Sequence, residues 1–291
     1  DLHHEVPADL SPGLGIHAFR SLMLTVLVGL LAACGSCEVE DIEAPVDLEP
    51  QEEPLGAADW EDLDSPAPPD ALGANLHAAG DTLWLSWIEP IDAEVETHAV
   101  RVSALREGTW TEPSDVTRGE AMIASWADFP RSQVAGGHLY VNTMHRAGDS
   151  PWAYETRLWR APIDADGPLS FDALGVVHSD GTPTEHGFVS MVPEGEGIRL
   201  FWLDGRAGPT GGATAVYSTT ADAATAVGGV PEAEQVDPRV CDCCQTAAAV
   251  TGDGALVVYR DRDDAEVRDI SIARRTEAGV EAPQAGQGGA W

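Results

Sequence analysis

From about residue 72 the chain alternates short apolar runs with polar positions and is cut repeatedly by glycine, the period-2 pattern of half-buried strands joined by tight turns. One strand pair occurs four times. It runs from Asn75 to Ala79 and from Thr82 to Trp87 around Gly80, then from Ser132 to Ala135 and from His138 to Thr143 around Gly136 and Gly137. The later copies are Phe188 to Val192 with Ile198 to Leu203, and Thr246 to Val250 with Ala255 to Tyr259. The equivalent leucines Leu83, Leu139, Leu200 and Leu256 are spaced 56, 61 and 56 residues apart. A second pair begins at His98, Thr156, Thr214 and Arg268 in the four units. Four short antiparallel strands per unit predict all-β blades of a β-propeller, with blades at about 71–121, 122–178, 179–238 and 239–291. A β-sandwich is the competing arrangement, although it does not require so even a period.

Short turns join the first strand of each blade to the second and the third to the fourth, so the long connections gather on the opposite face. That face receives Arg131, Asp180, Glu185, His186, Arg206, Cys241, Cys243, Cys244, Arg260 and Arg262, along with the stretches 126–131 and 145–154.

The residues before the repeats read differently. Arg20, the apolar run from Leu22 to Leu31 and Leu31-Ala-Ala-Cys34 follow the order of an n-region, a short h-region and a small-residue cleavage site. The segment resembles a bacterial lipoprotein signal, which implies that 1–33 are upstream residues and signal peptide and that Cys34 carries a lipid. Residues 34–70 then hold thirteen Asp and Glu from position 38 onward, together with many prolines, and no basic residue. They predict a disordered acidic tether. The expected location is the cell envelope, on its periplasmic face or at the cell surface, with membrane contact through the Cys34 lipid only.

Composition narrows the partners. A formal charge of −33, with 49 acids against 16 bases that are all Arg, repels phosphate backbones and excludes nucleic acid as an expected partner.

The stretches Asp180 to Gly187, Phe201 to Arg206, Val240 to Thr246 and Tyr259 to Ile270 resemble a bacterial group of sialidase-like proteins with BNR repeats, of the exo-alpha-sialidase superfamily. The resemblance implies a sialidase-like propeller of six blades, of which this chain holds four, and a C-terminal continuation beyond Trp291. It implies a glycan or glycoprotein ligand and, if the protein is an enzyme, glycoside hydrolysis without a required cofactor. The matching Asp-box turn, Ser103 to Trp110, keeps Ser, Thr and Trp but lacks Asp and Gly at their positions.

Sialidase chemistry needs a cationic grip on a carboxylate, a Tyr beside a Glu, and an acid near the leaving oxygen. Arg131, Arg206, Arg260 and Arg262 are the candidate substrate-binding residues. Alternation of acids with the last two makes mutual pairing with Glu266 and Arg268 the competing account. Asp180, Glu185 and His186 are the candidate catalytic set, and Tyr259 is a nucleophile by residue type only, strand packing being its alternative role. Cys241, Cys243 and Cys244 suit either a disulfide, which an exported location favours, or a soft metal such as Cu or Zn. A non-catalytic propeller that binds a protein or metal ligand is the alternative to a hydrolase.

Overall fold

The computed structural model describes residues 62–285 apart from 93, 165, 166 and 282. The signal segment, Cys34 and most of the acidic tether lie outside these residues. The strands form four antiparallel sheets in chain order. The first contains β1 (Leu72–Ala79), β2 (Thr82–Asp92), β3 (Thr97–Arg106), β4 (Thr109–Trp110) and β5 (Ser114–Gly119). The second contains β6 (Ser132–Ala135), β7 (His138–Arg146), β8 (Tyr154–Pro162) and β9 (Asp172–Val176). The third contains β10 (His186–Glu194), β11 (Gly197–Asp204), β12 (Ala215–Ala221) and β13 (Glu234–Asp237). The fourth contains β14 (Ala247–Thr251), β15 (Gly254–Arg260), β16 (Ile270–Thr276), β17 (Gly279–Val280) and β18 (Gln284–Ala285).

Each sheet is a meander whose first strand meets the first strand of the next sheet, β6 lying against β1 and β10, and β10 against β14. Side-chain alternation then sends successive residues to opposite neighbours. Along β11, Ile198, Leu200 and Trp202 pack with Tyr140, Leu158 and Leu174 of the second sheet, whereas Phe201 and Leu203 pack with Val257, Tyr259 and Ala273 of the fourth. Along β7, Leu139 and Val141 join Trp84, Val100 and Val102 of the first sheet. The three cores are therefore the three inter-sheet interfaces. Sheets stacked face to face around their first strands have the architecture of propeller blades.

The outer strands of the first and fourth sheets are broken. In the first sheet β4 and β5 both pair with β3, and the turn between β3 and β4 places Glu107 and Gly108 at φ 49° and 76°. This turn lies in the stretch that resembles an Asp box, where the Ser103 hydroxyl donates to the Thr111 carbonyl at 2.7 Å. Blades meet closely at their short turns as well. Gly136 has φ 52°, and a Cβ there would stand 2.9 Å from the carbonyl carbon of Glu196. Only glycine tolerates both demands.

Candidate functional site

The long connections converge on one end of the stacked sheets, where the loop before β6, the loop before β10 and the loop before β14 come together. Asp128 lies in the first of these and is 2 % exposed. Its Oδ2 accepts the Phe188 amide at 2.8 Å and the Tyr154 hydroxyl at 3.4 Å. The same hydroxyl donates to Glu185 Oε1 at 2.7 Å. Asp128, Tyr154 and Glu185 thus form a carboxyl, phenol, carboxylate chain drawn from two loops and the first residue of β8.

Local backbone makes this approach possible. Phe188 has φ 56°, an uncommon conformation for a bulky residue, and sits at the irregularity in β10 between Gly187 and Ser190. That irregularity turns its N–H toward Asp128. Gly187 has no side chain where a Cβ would overlap the Asp128 carboxylate and lie 2.7 Å from Tyr154 Cε2.

Electrostatics follow from burial. Burial pushes the Asp128 carboxyl up to about 7, with the Phe188 amide opposing it, Glu185 adding to it, and Tyr154 and Arg131 opposing. Glu185 is also raised, by burial against the Tyr154 hydrogen bond, with Asp242 on the facing loop adding to the shift. Tyr154 is held far above the usual phenol range by burial and then by the two carboxylates. Glu185 is partly exposed and Asp242 is exposed, so this end of the chain reaches solvent. Tyr154, at 5 % exposure, stands behind them.

Arg131 lies beside this set. Its Nη2 donates to Gln245 Oε1 at 3.2 Å, and the Gln245 amide bonds back to the Ala127 carbonyl. Arg131 also lines a cavity of about 240 Å³ between the first strands, with His77, Gln133, Ser190 and Ala247. A larger cleft of about 770 Å³ lies at the short-turn end, among Gly195, Gly252, Asp253 and Glu277, far from these loops in the fold. Its lining contains no histidine, tyrosine or cysteine.

The sequence-derived set of Asp180, Glu185 and His186 separates into two. Asp180 and His186 face a second cluster, where the His178 and His186 rings stack in parallel with centroids 3.5 Å apart. His178 Nδ1 is 2.7 Å from Asp180 Oδ1, and His186 Nδ1 meets the Thr184 carbonyl at 3.0 Å. Burial raises the Asp180 carboxyl, but bonds from Thr182 and the charge of the histidines outweigh it, leaving Asp180 well below the usual range. Both Nε2 atoms are buried without a hydrogen-bond partner. Parallel rings at this spacing keep their in-plane lone pairs parallel, so the two cannot converge on one ion as they stand. The cluster braces the loop before β10 and leaves Glu185 as the member directed toward Tyr154.

The four candidate arginines are not gathered into one clamp; each has different partners. Arg206 forks onto Asp204 at 2.6 and 2.7 Å and stacks over Tyr217, its guanidinium carbon 3.8 Å from the ring centre. Arg262 forks onto Glu266, which Arg239 and Arg268 share. The pairing account holds here for Arg262, whereas among the described residues Arg260 bridges no carboxylate and donates to the Arg268 carbonyl at 3.2 Å. Tyr259 is 1 % exposed and donates to buried Asp237 at 2.6 Å, which makes it an interface residue and removes it as a nucleophile.

Cys241, Cys243 and Cys244 are free thiols at the mouth of the same end. Arg260 Nη1 lies 3.8 Å from Cys244 Sγ, and Arg268 Nη1 lies 3.7 Å from Cys241 Sγ.

Asp128 and Tyr154 were missed as site residues by sequence reasoning. Both fall in stretches assigned to the correct face, but nothing in one dimension joins residues 26 and 31 positions apart into a chain.

No family model matches the chain, and no curated protein matches it. Solved structures similar to it include the Penicillium chrysogenum alpha-L-arabinanase complexed with arabinobiose, at 12 % identity, 69 % of this chain and TM-score 0.45. The chain spans 61 % of that enzyme's length. A thermostable family-43 glycoside hydrolase aligns over 75 % of this chain and 77 % of its own at 6 % identity and TM-score 0.48. The alpha-L-arabinofuranosidase from Lactobacillus brevis aligns over 73 % and 78 % at 13 % identity and TM-score 0.40. At these scores the likenesses carry no argument. The all-β architecture rests on the strands and their pairing.

Proposed function

We propose that the protein is a glycan-acting glycoside hydrolase whose centre is the long-loop end, with Glu185 as the proton donor to the departing glycosidic oxygen. The observation that carries this reading is the Tyr154 hydroxyl held between Glu185 and Asp128, with the outer carboxylate partly exposed beside Asp242. Glycoside hydrolysis needs two carboxyl groups with distinct protonation. Burial raises Glu185, the direction that favours a proton donor, whereas exposed Asp242 supplies the second carboxylate, as nucleophile or as base toward water. When Glu185 gives its proton to the leaving oxygen, the C–O bond breaks and the Tyr154 hydroxyl stabilises the new carboxylate. Arg131 and the cavity between the first strands provide room and positive charge for the remainder of the substrate.

A sialidase-type specificity, for a terminal acidic sugar, is the finer form of this proposal and is supported by the four resembling sequence stretches. Tyr154 beside Glu185 offers a tyrosine and carboxylate pair of the required types. Its 5 % exposure is the reason Glu185, rather than Tyr154, is taken as the group that touches substrate. We further propose, from the order of Arg20, the apolar run and Cys34, that the protein is displayed in the cell envelope by a lipid and an acidic tether.

Burial of Asp128 and Tyr154 favours a second reading, a non-catalytic glycan-binding propeller in which the chain is a structural clasp. Turnover of fluorogenic sialosides and neutral aryl glycosides by the full chain separates the two. The hydrolase reading expects turnover that Glu185→Gln removes and Tyr259→Phe leaves intact. Absence of turnover on every glycoside, with glycan binding retained, sinks it.

A further inference from the structure

The three thiols lie outside the proton chemistry of Glu185 and have an arrangement of their own. Their loop is pinned at its base, the Val240 amide donating to the Thr214 carbonyl at 2.8 Å and the Cys241 amide to the Arg260 carbonyl at 2.9 Å. Cys241 is buried, while Cys243 is exposed and Cys244 half-buried, so one thiol anchors the set and two open toward solvent. The Sγ atoms of Cys241 and Cys243 are 3.4 Å apart, and those of Cys243 and Cys244 3.7 Å. Sulfur ligands at about 2.3 Å from one ion stand roughly 3.8 Å apart in tetrahedral and about 4.0 Å apart in trigonal geometry. A few tenths of an ångström of expansion therefore convert the cluster into a ligand set. A disulfide asks for more. The adjacent Cys243 and Cys244 have Cα atoms about 3.8 Å apart across a trans peptide, shorter than the ~4.4 Å at which disulfide Cα separations begin.

Charge favours the thiolate form of the ligands. Three thiolates around a monovalent cation carry a net charge of two minus, and two guanidinium groups, those of Arg260 and Arg268, each approach a different ligand sulfur. In a chain with 49 acids and 16 bases, two arginines on three thiols oppose the prevailing field. Arg268 also pairs with Glu266 at 3.2 Å, so the two arginines favour the anionic ligand set and coordination number decides the ion. Zinc sites also take a fourth ligand, and among the described residues no histidine or carboxylate joins the three sulfurs. Soft thiolates with low coordination number match Cu(I).

We propose that Cys241, Cys243 and Cys244 form a three-thiolate site for a soft monovalent cation of the Cu(I) class, with Arg260 and Arg268 balancing its charge. Binding releases the three thiol protons to solvent and changes no oxidation state. The site stands independently of the glycosidase reading.

The test uses the full chain with Cys34→Ser and Cys37→Ser, kept reduced and anaerobic, and titrated with Cu(I) against bicinchoninate as the competing chelator. One equivalent of Cu(I) is expected to leave the chelator. Cys243→Ser, on the exposed side of the cluster, is expected to weaken retention at least tenfold with an unchanged thermal melt, and the triple serine variant to abolish it. The same measurement with Zn(II) against a zinc-responsive dye is expected to show weaker retention. Three results overturn the proposal: Cu(I) retention that survives in the triple variant, Zn(II) held as tightly as Cu(I), or a native chain with one alkylatable thiol among the three, which signals a disulfide.

Discussion

Replacing Asp128 by Asn removes an ionisation while keeping size and shape. With its carbonyl in the place of Oδ2, Asn can still accept both the Phe188 amide and the Tyr154 hydroxyl, its NH2 taking the place of the unpartnered Oδ1, so the geometry around the side chain persists. What changes is the pH dependence. In the folded chain the carboxyl titrates at about 7, against an ordinary value of 3.8. Below about pH 4 the group is protonated in both folded and unfolded chains and contributes nothing to the slope. Between about pH 4 and 7 the unfolded chain releases its proton and the folded chain holds it, so stability falls as pH rises; above 7 the loss is complete. At about 1.4 kcal/mol for each pKa unit, the 3.2-unit difference amounts to about 4 kcal/mol. Urea denaturation of both proteins at intervals from pH 4 to 8 isolates this one group, because every other titration is common to the pair. Asp128→Asn is expected to gain on the native protein by several kcal/mol between the ends of that range. Parallel stability curves refute the reasoning, because they mean that Asp128 ionises normally in the fold.

Three further perturbations test other joints of the structure. Gly187→Ala places a methyl against the Asp128 carboxylate and Tyr154 Cε2, and is expected to destabilise by about 2–3 kcal/mol in the same urea assay. Tyr259→Phe removes the hydroxyl donor from Asp237 Oδ2, leaving the Arg239 amide on Oδ1, and is expected to cost about 2 kcal/mol of stability while leaving glycoside turnover unchanged. Arg199, 5 % exposed, holds Glu194 and Glu234 across the edge of the third sheet. Arg199→Leu is expected to lower stability by on the order of 2–3 kcal/mol, less than for a fully buried pair because both glutamates keep access to water.

The repeats were legible because blade strands are specified locally. The short apolar run Ile198 to Leu203 and glycine at 136, 195 and 254 predict strands and turns without knowledge of any distant residue, and the structure places β11 and its turns where the pattern puts them. The long-loop face was legible for the same reason, since loop length is a one-dimensional quantity. The site chemistry was not. Glu185 and His186 are adjacent in sequence, yet one faces Tyr154 and the other the Asp180 cluster, because neighbouring residues at a strand entry point to opposite sides. Arg206 looked available for a ligand until the fold brought Asp204 and Tyr217 onto it. Asp128 gave no sign of unusual ionisation, because that property comes from enclosure by the Gly187–Phe188 backbone 60 residues away.

Dependence on the leaving group is the measurement that tests the role of Glu185 most directly. Rates for native protein and Glu185→Gln are compared on two glycosides of the same sugar, one with an alkyl alcohol as leaving group and one with a nitrophenol. A proton donor matters only where the departing oxygen is a strong base. The account predicts a loss of about 10²- to 10⁴-fold on the alkyl glycoside and a much smaller loss on the nitrophenyl glycoside. Equal losses on both substrates contradict it and return Glu185 to a structural part in the Tyr154 and Asp128 clasp.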